Sequence, residues 1–174
     1  GITVRDLLSV EYFRDFKVIA GRNGLNREIQ GVTVADAPDG YLWKTEKELC
    51  FSSGYAFSGN LEFIEGMFRG ESRLAALVLK RGRYLNEIPE RIIRLFDENE
   101  VPLITMPYGI PWMEAINQVY VAVINHAIQL FSVSTPHPQT ANYKEQKIQK
   151  ILRAVEGDME FPALLYDLFD NRSF

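Results

Sequence analysis

The residues of this sequence that are most able to do chemistry follow four short apolar runs. Asp36 comes soon after the first run, Ser52-Ser53-Gly54-Tyr55 after the second, and Lys80-Arg81-Gly82-Arg83 after the third. The fourth run is followed by Pro107-Tyr108-Gly109. If the four runs are parallel strands of one open sheet, their carboxyl ends lie side by side, which is where ligands bind in such folds.

These residue types suit a small polar or anionic ligand. Serine hydroxyls and a glycine N–H donate to an oxyanion or a carbonyl oxygen, basic side chains neutralise negative charge, and a carboxylate accepts from a ring N–H. The predicted ligand-binding residues are Asp36, Ser52, Ser53, Gly54, Tyr55, Lys80 and Arg83.

The same residues also have a purely structural interpretation. Serine and glycine are common in turns for backbone reasons alone, and Asp36 can cap the segment that follows it. In that case Lys80 and Arg83 form a solvated rim that pairs with Glu46 or Glu87. The sequence supports both interpretations.

Familiar catalytic and metal-binding patterns are missing from the sequence. We find no phosphate loop, no dinucleotide-binding glycine fingerprint and no serine nucleophile elbow. The two histidines, His126 and His137, lie at unrelated positions, and Cys50 is the single cysteine. A metal site or a nucleophile–base pair is therefore unexpected. We predict no catalytic residue, no metal site and no cofactor, and thus a protein that is not an enzyme.

The composition is that of an ordinary globular domain, with 47% hydrophobic and 24% charged residues. The longest apolar stretch, near Val119 to Ile124, is well short of the roughly 20 residues that cross a bilayer. The first residues lack a secretory signal, so we expect a cytoplasmic protein without membrane contact. The net charge of −4 argues against DNA binding by this segment itself.

The predicted strands form a parallel sheet with one hairpin. Residues 17–20 and 29–34 flank Asn23-Gly24, a dipeptide that favours a β-hairpin, and Gly31 is a candidate bulge. Three short apolar runs are typical of central parallel strands buried on both faces: residues 49–52, 75–79 and 103–106.

Helical patterns lie between these strands, one after Asn60 and one beginning near Pro89. Such alternation of strands and helices predicts an α/β fold. We expect an open, mainly parallel sheet with an N-terminal hairpin-like segment and flanking helices, followed by a helical C-terminal tail.

A long helix is predicted from Pro111 to Phe131, with apolar residues on more of its circumference than one sheet face can cover. We divide the chain into a globular domain (1–132), a proline-containing linker (133–142) and a helical segment (143–174) that leads into a missing domain. The uncovered helix predicts a homodimer. The alternative is a monomer whose tail folds back onto the helix.

Several short segments, taken in chain order, carry a resemblance to a known family. They are Ile2-Thr3-Val4-Arg5-Asp6-Leu7-Leu8, Val18-Ile19-Ala20-Gly21, Gly24-Leu25-Asn26-Arg27-Glu28-Ile29, Val32-Thr33-Val34, Pro38-Asp39, Glu48-Leu49, Ser53-Gly54-Tyr55-Ala56, Lys80-Arg81-Gly82-Arg83-Tyr84, Glu87-Ile88-Pro89, and Pro102-Leu103-Ile104 with Pro107 and Pro111. Together they resemble the N-terminal domain of the PucR-type purine catabolism regulators of bacteria, over residues 2–125. The opening residues are also similar to the N-terminal domain of HPr kinase.

The resemblance implies a regulatory domain that precedes a middle domain and a C-terminal helix-turn-helix. Both later domains are absent from this sequence, so DNA contact is expected only through the missing part. Two departures from the family pattern are visible. Ser52-Ser53 stand where two threonines are usual, and Lys47 stands where a glycine commonly precedes Glu48-Leu49, which alters the expected turn.

Two other functions stay open at this stage. One is an enzyme, or an enzyme regulatory domain, that acts on an acidic or phosphorylated metabolite at the same strand ends. It would need a base such as Asp36 or Lys80. The other is a pure oligomerisation module. The resemblance favours a transcription regulator with a small-molecule effector.

Overall fold

The computed structural model describes residues 1–35, 47–54, 64–66, 68, 74–80 and 87–133. They contain a five-stranded sheet with the strand order β1-β5-β4-β3-β2. The strands are β1 Lys17–Ala20, β2 Gly31–Val34, β3 Glu48–Ser52, β4 Ala76–Lys80 and β5 Leu103–Met106. Strands β2 to β5 run parallel, and β1 pairs with β5 in the antiparallel sense. The predicted α/β fold with a mainly parallel sheet is confirmed.

The three short apolar runs form the centre of this sheet, as predicted. Almost every residue of β3, β4 and β5 is buried, because helices cover both faces of the sheet. The helices are α1 Val4–Leu8, α2 Glu90–Glu98 and α3 Trp112–Val133. α2 begins directly after Pro89, and α3 matches the predicted long helix to within two residues at its end.

The core has one layer on each face of the sheet. On one face α1, the aromatic residues Phe13 and Phe16, and the inner side of α3 pack against side chains such as Phe51 and Val78. On the other face Ile92 and Phe96 of α2 pack against the alternate strand residues. Side chains alternate along a strand, so each strand residue packs into one of the two layers, and the layer shows which face of the sheet its side chain occupies.

The predicted N-terminal hairpin is wrong. β1 and β2 lie at opposite edges of the sheet, and neither pairs with the other. Between them, Gly21 adopts a left-handed conformation (φ 70°) and Arg22–Gly24 form a 3₁₀ turn instead of a two-residue hairpin turn. The predicted bulge at Gly31 is also absent, since β2 pairs with β3 in continuous register. The irregularity lies in β1, between Val18 and Ala20.

The glycines of this turn are required by a distant part of the chain. A Cβ atom on Gly21 or Gly24 would overlap the backbone carbonyls of Val101 or Glu100, just before β5. The Gly21 N–H also donates to Asp97 Oδ1 at 2.6 Å. Gly21 and Gly24 are therefore needed for a close approach to the backbone before β5, which only glycine permits, and not for the hairpin turn that Asn23-Gly24 predicted.

Arg27 locks the same loop in place, and we call its contacts the Arg27 clamp. Its guanidinium donates to the carbonyl oxygens of Glu100 (2.8 Å), Leu74 (3.1 Å) and Asn99 (3.1 Å). These carbonyls precede β4 and β5, so one side chain joins three segments at the amino end of the parallel strands. A planar guanidinium is suited to this task because its donors point in several fixed directions.

Several predictions lie wholly or partly outside the described residues. They are most of the helix after Asn60, the linker from residue 134 onward and the segment 143–174. The division of the chain into three parts therefore stays a prediction. Within the ranges that the structure describes, no helix is long and apolar enough to cross a membrane.

Candidate functional site

The carboxyl ends of the parallel strands lie next to one another, as the sequence analysis requires. Ser52 at the end of β3 is level with Leu79 of β4, which is level with Thr105 of β5. Lys80 is the last residue of β4 and pairs with Met106. Ser52, Ser53, Gly54 and Lys80 therefore reach one edge of the sheet, while Asp36, Tyr55 and Arg83 lie outside the described residues.

The side chains of Ser52 and Lys80 point to opposite faces of the sheet. Cys50 packs in the core layer beneath α2, so Ser52, two residues further, leaves the sheet on the α2 side. Val78 packs in the layer beneath α3, so Lys80 leaves on the α3 side. The carboxyl ends of the strands thus offer two half-sites, one on each face of the sheet. Only a ligand that extends across the strand ends from one face to the other would contact both half-sites.

The half-site on the α2 side is built of small hydroxyl side chains. Ser52 is fully buried, and Thr105 is buried on the other side of Leu79. Ser52 Oγ accepts the Gly54 N–H at 3.2 Å, and Gly54 has the left-handed φ of 83° that favours glycine. This is the turn chemistry that the structural interpretation expects. A ligand that needs the Gly54 N–H has to compete with this bond.

The half-site on the α3 side is formed by Lys80 and Trp112. The Lys80 ammonium lies 5.7 Å from the centroid of the Trp112 ring, within the range of a cation–π interaction. Burial lowers the pKa of Lys80 below its usual range. No carboxylate among the described residues is within ion-pair distance of Lys80, and Glu87, one of its two suggested partners, is not paired with it.

Trp112 lies within the predicted long helix but is not one of the predicted ligand-binding residues. It is the first residue of α3, and its indole Nε1 is buried without a hydrogen-bond partner in the described part of the chain. A buried donor of this kind is costly unless a partner fills it. Its position next to a strand end, after a proline, is the signal that identifies it.

The donors on the α3 side favour an anion. The Lys80 ammonium and the Trp112 N–H are donor groups without an acceptor among the described residues, and the first N–H groups of α3 carry partial positive charge. Glu114 in the same turn is directed toward Tyr12, and burial together with this carboxylate raises the pKa of Tyr12. An anionic group near Lys80 would favour the charged form of the ammonium, which burial disfavours.

A metal ion finds no ligand set in the part of the chain that the structure describes. No group of three or more His, Cys, Asp or Glu side chains comes together there. Cys50 lies in β3 with no exposed surface.

Comparison with known proteins confirms the resemblance seen in the sequence. The profile of a family described as "Purine catabolism regulatory protein-like family" matches residues 6–123, a range that includes all five strands and the first half of α3. The purine catabolism regulatory protein of Bacillus subtilis (strain 168) is 28% identical over 178 residues. That alignment covers 95% of this chain but only 32% of the relative.

Proposed function

Because the chain belongs to the purine catabolism regulatory protein-like family, we propose that it is the N-terminal regulatory region of a PucR-type bacterial transcription regulator. The observation that carries the proposal is the family match over residues 6–123, which spans the whole sheet. The family is one of regulatory proteins, and this favours a regulator over the enzyme considered above. The chain corresponds to 32% of the length of its relative, so we assign DNA binding to the remainder of the protein.

A combined test of promoter binding and transcription addresses this proposal. The full-length protein is expected to occupy promoters of purine-breakdown genes in chromatin immunoprecipitation, and deletion of its gene is expected to change their transcripts. The 174 residues alone are expected not to retard the same promoter DNA specifically, since they carry a net charge of −4 and the proposal assigns the recognition helix to the remainder of the protein. Unchanged transcripts in the deletion strain would contradict the proposal that the protein is a regulator. Tight specific retardation by the 174-residue chain would contradict the assignment of DNA binding to the remainder of the protein.

The proposed effector is a small polar or anionic metabolite that binds at the strand ends. The support comes from Lys80, whose partly buried ammonium has no carboxylate partner among the described residues, and from the buried N–H of Trp112. Ser53 directly follows Ser52, the last residue of β3. Asp36, Tyr55 and Arg83 complete the proposed site from the sequence. A planar anion that extends over the edge of the sheet would reach both half-sites.

Thermal denaturation with a panel of anionic and polar metabolites tests the effector site. A ligand present at about 100 times its dissociation constant stabilises the fold by roughly 2.7 kcal/mol, which raises the melting temperature of a chain of this size by roughly 5–11 °C. We name urate, allantoate and glyoxylate as probes. The shift is expected to vanish in Lys80→Ala and to persist in Arg94→Ala, which removes one exposed positive charge from the opposite face of the sheet. No shift with any probe, or an equal shift in Lys80→Ala, counts against the site.

The proposed regulator also self-associates through α3. This helix has large apolar side chains that the sheet does not cover, among them Met113 at 66% exposure and Val121 at 46%. A regulator that reads a palindromic DNA site requires two copies related by a two-fold axis. The exposed helix is thus available for a contact between two copies of the chain.

A further inference from the structure

The outward side of α3 is unusually poor in charge. Among its 22 residues, Glu114 is the one acidic or basic side chain (Asp, Glu, Lys, Arg). A helix that faces water over its whole length normally carries several charged residues on its outer side. Instead, the outer side of α3 combines exposed or half-buried apolar residues with amides.

One stripe on this side has a palindromic spacing. Its residues follow one another at intervals of 4, 3, 1, 3 and 4: Met113, Asn117, Tyr120, Val121, Ile124 and Ile128. At about 100° per residue all six fall within roughly a third of the helix circumference. The spacing is the same when it is read from either end, and its midpoint lies between Tyr120 and Val121.

This symmetry has a direct physical consequence. When two copies of the helix pack antiparallel about that midpoint, Met113 faces Ile128 of the other copy and Tyr120 faces its Val121. Asn117 faces Ile124 at the remaining level. No acidic or basic side chain belongs to the stripe, so no like charges oppose each other across the two-fold axis. Contacts at these intervals correspond to the antiparallel packing of helices at separations of roughly 8–10 Å.

We infer that a second copy of this chain binds along the stripe, so that α3 of one copy packs antiparallel on α3 of the other about the Tyr120–Val121 midpoint. This inference rests on the self-association included in the proposed function and assigns its surface and register. The occupant is a second copy because the stripe complements itself when it is inverted. The two-fold axis places the ends of the two sheets that carry Lys80 on opposite sides of the interface, since α3 begins beside that end.

Cysteine cross-linking reads the register directly. The 174-residue chain is prepared as Met113→Cys and, separately, as Ile128→Cys, and the native Cys50 is fully buried. Under mild oxidation, an equal mixture of the two variants is expected to form a disulfide-linked dimer. Each variant alone is expected not to, because its two cysteines are separated by about 22 Å along the helix axis at 1.5 Å per residue. Linkage in the single variants equal to that in the mixture, or no linkage in the mixture, overturns the antiparallel register.

Sedimentation equilibrium separates this inference from the proposed function. The wild-type chain is expected to dimerise, and Val121→Glu is expected to raise the dimer dissociation constant at least about 100-fold, since it places two like charges beside the axis. Gln129→Glu adds the same charge outside the stripe and is expected to change the constant less than about threefold. Circular dichroism melts check that both variants are folded. A dimer that survives Val121→Glu overturns the assigned surface but not self-association, whereas a monomeric wild-type chain at high micromolar concentration overturns both and leaves the regulator proposal standing.

Discussion

Removing the Arg27 clamp is predicted to destabilise the sheet from the end opposite the proposed site. In Arg27→Met the apolar stem is kept, while the donors to the carbonyls of Leu74, Asn99 and Glu100 are lost. Two of these bonds are partly buried and one is exposed. Hydrogen bonds to a charged group contribute about 1.5–3 kcal/mol when shielded from water and less when exposed.

The expected loss is therefore about 2–4 kcal/mol in the free energy of unfolding. For a chain of this length, 1 kcal/mol corresponds to roughly 2–4 °C in melting temperature, so the melt should fall by roughly 4–16 °C. Arg27→Lys should lie between the wild type and Arg27→Met, because a single ammonium cannot reach three carbonyls in different directions. Urea unfolding followed by circular dichroism gives the free energy, and thermal melts give the temperature.

Arg22→Met is the matched control for this loop. Arg22 is exposed and donates one bond, from its guanidinium to the Val18 carbonyl oxygen at 2.9 Å. Its loss should cost less than about 1 kcal/mol. The Arg27 clamp does not contribute as predicted if Arg27→Met melts within about 2 °C of the wild type, or if Arg22→Met is destabilised to the same extent.

Three further predictions concern the backbone and the first helix. Gly24→Ala should lower the free energy of unfolding by about 1–3 kcal/mol, because the added Cβ overlaps the Glu100 carbonyl. The control Gly109→Ala, whose Cβ meets no atom within 4 Å, should change the free energy of unfolding by less than about 0.5 kcal/mol. Equal urea midpoints for the two variants would contradict this prediction. Lys47 has φ 59°, so Lys47→Gly should be about 1 kcal/mol more stable than Lys47→Ala. Both variants lose the exposed contact with Glu28, but only Lys47→Ala keeps the backbone strain. The reverse order of melting temperatures would contradict this prediction. Burial raises the pKa of Asp6, but the Thr3 hydrogen bonds of the capping box and the nearby His126 outweigh it and lower the pKa. A carboxyl group whose pKa is lowered by folding stabilises the fold at pH values above its pKa in the unfolded chain. This stabilisation is lost as the pH falls through the pKa of the folded state. The cost of Asp6→Asn should thus be about 0.5–1 kcal/mol at pH 7 and shrink below about pH 4, and a pH-independent difference would contradict it.

The sequence was sufficient for the central part of the fold because the signals there are local. Residues 49–52, 75–79 and 103–106 are mostly apolar, and such runs between helical patterns specify buried parallel strands. The hairpin failed because Gly21 and Gly24 are selected by contact with the backbone at Glu100 to Pro102. A glycine in a sequence shows that space or an unusual φ is needed, but it does not show which distant segment requires it.

The sequence predicted which strand ends lie together but not the faces to which their side chains point, and the ligand site itself stays a prediction. Ser52 and Lys80 do reach the same edge of the sheet, as the order of strands and helices implies. Their opposite orientation depends on the register between β3 and β4. Packing against α2 and α3 sets this register, and the sequence of neither strand alone determines it. The Trp112 contact with Lys80 likewise crosses from a helix to a strand through the fold.

Lys47 shows where a departure from the family pattern becomes informative. The sequence analysis noted that a glycine commonly stands there, and the structure gives the residue a left-handed φ of 59°. A lysine in this conformation is strained by its Cβ atom, and its ammonium compensates in part through Glu28 at 3.1 Å. The turn before β3 is thus kept with a residue that is not suited to it.

The most direct test of the account is the purine response of a regulator that carries Lys80→Ala. Transcripts of the regulated genes are measured with and without purine as the nitrogen source, in cells whose full-length protein is present at the wild-type level. If the strand ends sense a metabolite through Lys80, the ratio of the two transcript levels should fall toward one in Lys80→Ala, while promoter occupancy is retained and Arg94→Ala responds like the wild type. An unchanged transcript ratio in Lys80→Ala would contradict the account.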